Sequence, residues 1–260
     1  MTPLIGACLP SEHAATLPSG AIDFLEVNVQ TFLLPLQPDP AFAPNLHLAQ
    51  TSPLPVSAAN CFLPSSLKST GPEAQPQAIL TYAATAFARA RACGIRTIVF
   101  GSGGSRKLPE GLSPESARPA FTQLLRSLGP LAQQHGLVLA LEPLGKTECN
   151  FILSLAEGAA IVRDVDHPSV RLLADLYHMA CNGEPWSTLQ PAADLLAHVH
   201  VAETARRTPP GVDGDSFLEP FRILKEAGYS GPLSIEAQWT HPATEAPRAA
   251  EILRSQWASA

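Results

Sequence analysis

Short apolar runs alternate with longer segments of helical periodicity along almost the whole chain. Eight of these runs have the length and apolar content of strands that are buried on both faces, as in a parallel sheet. They cover residues 4–9, 23–29, 56–62, 96–100, 137–142, 170–175, 197–202 and 232–236.

The segments between these runs predict helices. Over residues 73–93, apolar residues recur at spacings of three and four, and Gly94 follows as a helix-ending glycine. Residues 30–54 contain several prolines, which predict a short or irregular helix because proline lacks a backbone N–H. Further helices are predicted over residues 114–134, 154–163, 186–196, 216–227 and 245–257, with a weak one over 11–20.

Eight strand runs that alternate with helices predict an α/β fold, a (β/α)8 TIM barrel that forms a single domain over residues 1–260. A doubly wound open sheet is the structural alternative. Such sheets often have a GxGxxG motif after the first strand, whereas residues 9–12 here read Leu-Pro-Ser-Glu.

The composition limits the binding partners and the cellular compartment that we expect for this protein. The formal net charge is -6 and no basic run occurs, which argues against nucleic-acid binding. No apolar run approaches the roughly 20 residues that cross a bilayer, and the N-terminus lacks the pattern of a signal peptide. The five cysteines contain no CxxC pair, so we expect a cytoplasmic protein without disulfides.

Four consecutive strand runs end in a side chain that binds metal ions well. Glu142, Asp175, His200 and Glu236 would meet at one rim of a barrel. Three carboxylates packed together without a cation would repel one another, so the pattern predicts one divalent metal ion. Mixed carboxylate and imidazole ligands suit Mn²⁺, Co²⁺ or Mg²⁺, and more histidine would favour Zn²⁺. His198 is expected to have a supporting role.

The motifs around these residues resemble those of the sugar phosphate isomerase/epimerase family. That family has xylose isomerase-like TIM barrels and includes ketose 3-epimerases and hydroxypyruvate isomerases. The motifs are Glu-Pro-Leu at 142–144 with Glu-Cys-Asn at 148–150, Asp-Leu-Tyr-His at 175–178, His-Val-His-Val-Ala-Glu at 198–203 with Arg206, and Ser-Ile-Glu at 234–236.

The resemblance implies roles for individual residues. It makes Glu142, Asp175, His200 and Glu236 the metal ligands, and it makes Glu142 and Glu236 a proton-transfer pair on opposite faces of the sugar. It also implies that the substrate's oxygen atoms contact three further side chains, namely Glu148, His178 and Arg206.

The expected function is therefore a divalent-metal-dependent isomerase or epimerase of a small sugar or hydroxy-ketone. It would remove a proton next to a carbonyl through a metal-stabilised enediolate. The alternative is a metal-dependent lyase, a dehydratase of the keto-inositol or dehydroshikimate type, because the first chemical step is shared. A third class is a DNA-repair phosphodiesterase, which would need a histidine-rich zinc site and a basic face; the sequence shows neither. A fourth class is a barrel that binds a ligand without converting it. Exposed outer helix faces would support a homo-oligomer.

Two other features have both a functional and a structural interpretation. The Gly-Ser-Gly-Gly-Ser-Arg stretch at 101–106 is either a tight turn after a strand or an anion-binding loop whose Arg106 contacts an anionic substrate end. Glu26 lies near the end of the second strand run, and a structural role is favoured over a role in the wall of the site.

Overall fold

The computed structural model describes residues 2–260, and its eight parallel strands close into a barrel. Each strand pairs with the next along the chain, and the last pairs with the first, with Ile5 opposite Leu233. The predicted (β/α)8 barrel is thereby confirmed. The strands are β1 Ile5–Cys8, β2 Phe24–Asn28, β3 Val56–Asn60, β4 Thr97–Phe100, β5 Val138–Leu141, β6 Val170–Asp175, β7 Leu196–Val201 and β8 Leu233–Ile235.

Helices connect the strands on the outside of the barrel. Two 3-10 helices, Ser11–Ala15 and Trp186–Leu195, and a π-helix, Val29–Leu33, complete the connections. The α-helices within residues 2–260 are α1 Asp39–Thr51, α2 Pro76–Cys93, α3 Gly103–Arg106, α4 Pro114–Gln134, α5 Leu155–Val165, α6 Leu176–Asn182, α7 Leu218–Glu226 and α8 Pro242–Ser259.

Helix α1 is longer and more regular than its prolines predict. It runs for 13 residues although it contains Pro40 and Pro44. Pro40 lies in the first turn, where a backbone N–H would have no helical partner in any case. Only Pro44 removes a hydrogen bond from the helix, and one missing bond is tolerated when the helix packs against its neighbours.

Aromatic side chains fill the layer between the strands and the helices. The rings of Phe62 and Phe100 lie 5.3 Å apart, and Phe100 lies 5.6 Å from Phe121 on α4. Each is fully buried, which stabilises the fold by about 2–3 kcal/mol per side chain relative to exposure. This apolar layer holds the barrel together and leaves its interior available for polar groups.

The interior of the barrel is polar towards the carboxyl ends of the strands. Glu26 on β2 lies 2.8 Å from His198 on β7, although these strands are not neighbours, so the two side chains meet across the barrel. Val99, Ala140 and Leu173 form a separate buried apolar cluster on three adjacent strands. The charged groups therefore gather at one rim, where the carboxyl ends of all the strands meet.

The helices cover the barrel and do not resemble membrane spans. Among residues 2–260, no helix combines the length and the apolar character needed to cross a lipid bilayer.

Candidate metal centre

The four side chains predicted as metal ligands meet at a single point. Glu142, Asp175, His200 and Glu236 each offer one oxygen or nitrogen atom, and these atoms all lie within 4.8 Å of one another. Glu142 and Glu236 directly follow β5 and β8, whereas Asp175 and His200 lie within β6 and β7. All four occupy the same rim because the strands are parallel, so their carboxyl ends lie at the same end of the barrel.

Three of these groups point buried atoms at the shared point without any hydrogen-bond partner. The atoms are Glu142 Oε1, Asp175 Oδ2 and His200 Nδ1. Buried polar atoms are nearly always paired, so three unpaired ones in one place need a common partner. The other oxygen of Asp175 accepts from the backbone N–H of Tyr177 at 2.7 Å and of His178 at 3.1 Å, which orients Oδ2 into the site. The donor set therefore fits a divalent cation.

A buried carboxylate behind the site orients the imidazole of His200. Glu26 Oε1 lies 2.9 Å from His200 Nε2, and Oε2 lies 2.8 Å from His198 Nε2. A carboxylate accepts hydrogen bonds, so both Nε2 atoms are donors, and Nδ1 is the nitrogen of His200 that could bind a metal ion once it is deprotonated. That atom lies 3.4 Å from Glu142 Oε1 and 3.5 Å from Glu236 Oε2, and neither contact has the geometry of a hydrogen bond. Glu26 and His198 thus support the ligand from behind, as the partners of metal-binding histidines do.

Burial and neighbouring charges shift the protonation of the cluster. Burial is the main cause that raises the pKa of Glu142 to about 7, and the nearby Glu236 charge adds to it. Burial also opposes ionisation of Glu236, but His200 and Arg207 outweigh it and lower the pKa of Glu236 to about 2. Burial disfavours the imidazolium of His200, yet Glu26 and Glu236 outweigh it and raise the pKa of His200 well above its usual value. A bound cation would reverse these preferences at Glu142 and His200, so metal uptake should release protons.

Two small contacts fix the positions of the two glutamates of the cluster. A Cβ at Gly101, directly after β4, would overlap Glu142 Oε2, so a larger residue there would displace this carboxylate. Asn60 at the end of β3 donates its side-chain N–H to Glu236 Oε1 at 2.8 Å. The sequence predicts neither contact, because each joins a residue to a glutamate far away in the chain; Gly101 belongs to the 101–106 stretch, for which only a turn or an anion-binding loop is predicted.

Two of the three predicted substrate contacts lie beside the metal centre. His178 is buried, and its Nε2 lies 3.5 Å from Asp175 Oδ2 and 3.9 Å from Glu148 Oε2. His178 and Glu148 both line a cavity of about 320 Å³, which we call the proximal cavity. Its walls include Glu142, Glu148, His178, Arg207 and Glu236.

The structure does not bring Arg206, the third predicted contact, into the site. Its side chain is 66% exposed and forms an ion pair with Asp213 instead. The next residue, Arg207, takes the expected place: it pairs with Glu236 and with Glu148 Oε1 at 3.0 Å. The guanidinium in the site therefore belongs to Arg207, and the prediction for Arg206 needs this correction.

The loop after β7 explains which arginine turns inwards. Glu203 is fully buried, and its carboxylate accepts backbone hydrogen bonds that fold the loop back on itself. This places Asp213 where it holds Arg206 outside, while Arg207 adopts a left-handed φ of 53° that directs its side chain the other way. The backbone donors to Glu203 are Gly211, Val212, Asp213, Gly214 and Asp215.

Arg106 does not line the proximal cavity, so the structure favours the structural interpretation of this stretch. The stretch after β4 forms the single turn of α3, and the Arg106 side chain is fully buried. Its guanidinium donates to the carbonyls of Phe100 at 3.2 Å and of Glu142 at 2.8 Å. Arg106 thus ties together the ends of β4 and β5, and burial lowers its pKa.

The chain is similar to curated sugar epimerases and isomerases over part of its length. It is 31% identical over 136 residues to the 3-dehydro-D-guloside 4-epimerase of Escherichia coli, which is 51% of this chain and 52% of the relative. It is 31% identical over 147 residues to the L-ribulose 3-epimerase of Methylomonas sp., covering 56% of this chain and 49% of that one. The chain thus spans about half the length of the curated relatives it matches.

Solved structures and a family profile agree on the architecture. A D-allulose 3-epimerase structure from Methylomonas sp. superposes with a TM-score of 0.82, at 22% identity, over 98% of each chain. The structure of a 3-keto-D-glucoside 4-epimerase from E. coli gives 0.78, also at 22% identity, over 97% of this chain and 99% of that chain. The family described as "Xylose isomerase-like TIM barrel" matches residues 20–256. The chain belongs to this family of xylose isomerase-like TIM barrels.

Proposed function

We propose that the protein is a divalent-metal-dependent isomerase or epimerase of a small sugar or hydroxy-ketone. The observation that carries the proposal is the meeting of three carboxylates and one imidazole at one point, with three buried atoms left without partners. Among its relatives are two sugar epimerases and a hydroxypyruvate isomerase, which favours the same class of chemistry.

The metal would be held by Glu142, Asp175, His200 and Glu236. Three oxygens and one nitrogen suit Mn²⁺, Co²⁺ or Mg²⁺ better than a site rich in histidine would, although Zn²⁺ also accepts this set. When bound, such a cation acts as a Lewis acid that stabilises negative charge developing on neighbouring substrate oxygens.

Glu142 and Glu236 would move the proton. They approach from β5 and β8, which are not neighbours in the barrel, so a sugar carbon between them has one carboxylate on each side. One carboxylate takes the proton next to the carbonyl, and the other returns a proton to the opposite face. Return to the same carbon inverts it, and return to the neighbouring carbon isomerises the sugar.

The remaining charged groups of the proximal cavity would bind and orient the substrate. Arg207 and His178 can donate hydrogen bonds to substrate oxygens where charge accumulates. Glu148 accepts from Arg207 and leaves one oxygen near His178, so it can accept a hydrogen bond from a sugar hydroxyl. We assign the substrate-binding role of the arginine to Arg207.

Deuterium uptake from solvent tests the first step without assuming a product. The metal-loaded protein is incubated in D2O with ketoses, aldoses, hydroxypyruvate and inosose, and each compound is analysed by NMR and mass spectrometry. At least one ketose or hydroxy-ketone should gain deuterium at the carbon next to its carbonyl. Loss of water with formation of an enone would instead support the lyase alternative.

Variants and metal removal connect that activity to the site. Glu142→Gln and Glu236→Gln should each abolish exchange while circular dichroism stays unchanged, and Glu110→Gln is a matched control on an exposed loop. Treatment with a chelator should remove activity, and Mn²⁺ or Co²⁺ should restore it. Full exchange by either site variant, or undiminished activity after the metal is removed, would refute the proposal.

A further inference from the structure

A second and larger cavity adjoins the metal centre on the side of β1, β2 and β3. We call it the distal cavity; it is open to solvent on one side, has a volume of about 550 Å³ and shares Cys61 and Glu236 with the proximal cavity. Because Glu236 lines both cavities, a molecule that reacts at the metal centre can extend from one into the other. The distal cavity is lined by Ser11, Glu12, Asn28, Thr31, Phe32 and Asn45, among others.

Together, the proximal and distal cavities have more volume than one small sugar fills. A six-carbon sugar fills about 200 Å³, the volume of about seven water molecules at about 30 Å³ each. The proximal cavity, at about 320 Å³, holds one such ring beside all the groups that the proposed reaction uses. The distal cavity is then available for a further part of the substrate, since binding sites usually enclose most of their ligand.

The lining of the distal cavity determines which chemistry that further part has. Its polar side chains are uncharged amides, hydroxyls and two thiols, together with the carboxylates of Glu12, Glu26 and Glu236, and Phe32 adds an apolar wall. Among its lining residues within the described part of the chain, none is lysine or arginine. Arg207 lies in the proximal cavity and is already paired with two carboxylates. A phosphate or carboxylate in the distal cavity would therefore meet like charge without a compensating cation.

We propose that the substrate is a keto-sugar that carries an uncharged, hydroxyl-rich substituent about the size of a second sugar ring. The reacting ring occupies the proximal cavity, and the substituent occupies the distal cavity, where amides and hydroxyls bind its oxygens. This inference rests on the proposed isomerase or epimerase function and names its substrate class. Phosphorylated ketoses are excluded as preferred substrates on the same grounds.

Three probes separate these possibilities in one assay. The kcat/KM for deuterium exchange is measured on a keto-hexoside with a hexosyl group, on the same keto-hexoside with a methyl group, and on a ketose 6-phosphate. The hexosyl compound should exceed the methyl compound at least tenfold, and the phosphate should be the poorest of the three. Equal values for the hexosyl and methyl compounds, or a preference for the phosphate, would overturn the inference.

A variant that narrows the distal cavity gives an independent test. Thr31 is exposed on its wall, so Thr31→Phe should reduce the ratio of hexosyl to methyl kcat/KM at least fivefold. The matched control is Thr81→Phe on the exposed face of α2, which should leave the ratio unchanged. An unchanged ratio in Thr31→Phe would contradict the assignment of the substituent to this cavity.

The two proposals fail in different ways. Exchange on the methyl compound or on free ketoses without any advantage from the hexosyl group would refute the substrate class and leave the isomerase or epimerase function standing. Absence of exchange on every probe by the metal-loaded protein would refute the proposed function itself.

Discussion

Replacing Glu26 with glutamine tests whether metal binding depends on the carboxylate that lies behind the ligands. Glu26 accepts hydrogen bonds from His200 Nε2 at 2.9 Å and from His198 Nε2 at 2.8 Å, using one oxygen for each. Glutamine has the same shape, but it offers one accepting oxygen and one donating NH2 group. One of the two imidazoles would then face a donor.

The magnitude follows from the tautomer of His200. If the NH2 group faces His200 Nε2, the imidazole proton moves to Nδ1, which removes the lone pair that faces Glu142 and Glu236. If the amide oxygen faces His200 instead, the ligand keeps its tautomer but loses the negative charge that makes it basic. Loss of such a partner typically lowers metal affinity 10–100-fold, which is about 1.4–2.7 kcal/mol.

Competition with a chromophoric chelator measures this change directly, with Mn²⁺ or Co²⁺ titrated into each variant. Circular dichroism and thermal unfolding report whether the barrel is intact. Glu12→Gln is the matched control, because it removes a carboxylate from the exposed wall of the distal cavity without touching either imidazole. A Glu26→Gln variant that binds metal within twofold of the unmodified chain would refute the reasoning, as would an equal loss in Glu12→Gln.

Three further substitutions test other parts of the site. Gly101→Ala should lower metal affinity at least tenfold in the same chelator competition, because the new Cβ displaces Glu142, and unchanged affinity would contradict this. Arg207→Met should reduce kcat/KM for exchange about hundredfold, whereas Arg206→Met should leave it nearly unchanged; the opposite order would show that Arg206 is the functional residue. Glu203→Gln should lower the free energy of unfolding in urea by about 2 kcal/mol, because its amide would face backbone donors, and a stable variant would refute that role.

The barrel and the four proposed ligands follow from local sequence features. Apolar runs of strand length, helical periodicity between them and the carboxylates at the ends of the runs are all visible in short windows of residues. Consecutive parallel strands joined by helices usually lie side by side, so their last residues meet at one rim. The sequence alone therefore predicts that Glu142, Asp175, His200 and Glu236 lie together, and the structure brings their ligand atoms to one point.

Other features of the site cannot be predicted from the sequence, because they are contacts between residues that are distant in the chain and meet only when the barrel closes. Glu26 and His198 are separated by 172 positions, and only the closure of the sheet brings β2 opposite β7. The same holds for Asn60 and Glu236, which are 176 positions apart. No short window of sequence indicates such a pair, so the role of Glu26 behind the imidazole ligand was not predicted.

Arg206 and Arg207 also show which features depend on the sequence alone and which depend on the tertiary structure. The sequence by itself determined that a guanidinium follows β7 near the site, because Arg206 and Arg207 both lie a few residues beyond His200. Only the tertiary structure decided that Arg207 turns inwards, since the folded loop around Glu203 sets the backbone angle and places Asp213 against Arg206. Periodicity and strand order are local properties of the chain, whereas the direction of a side chain in a loop depends on every hydrogen bond that the loop makes.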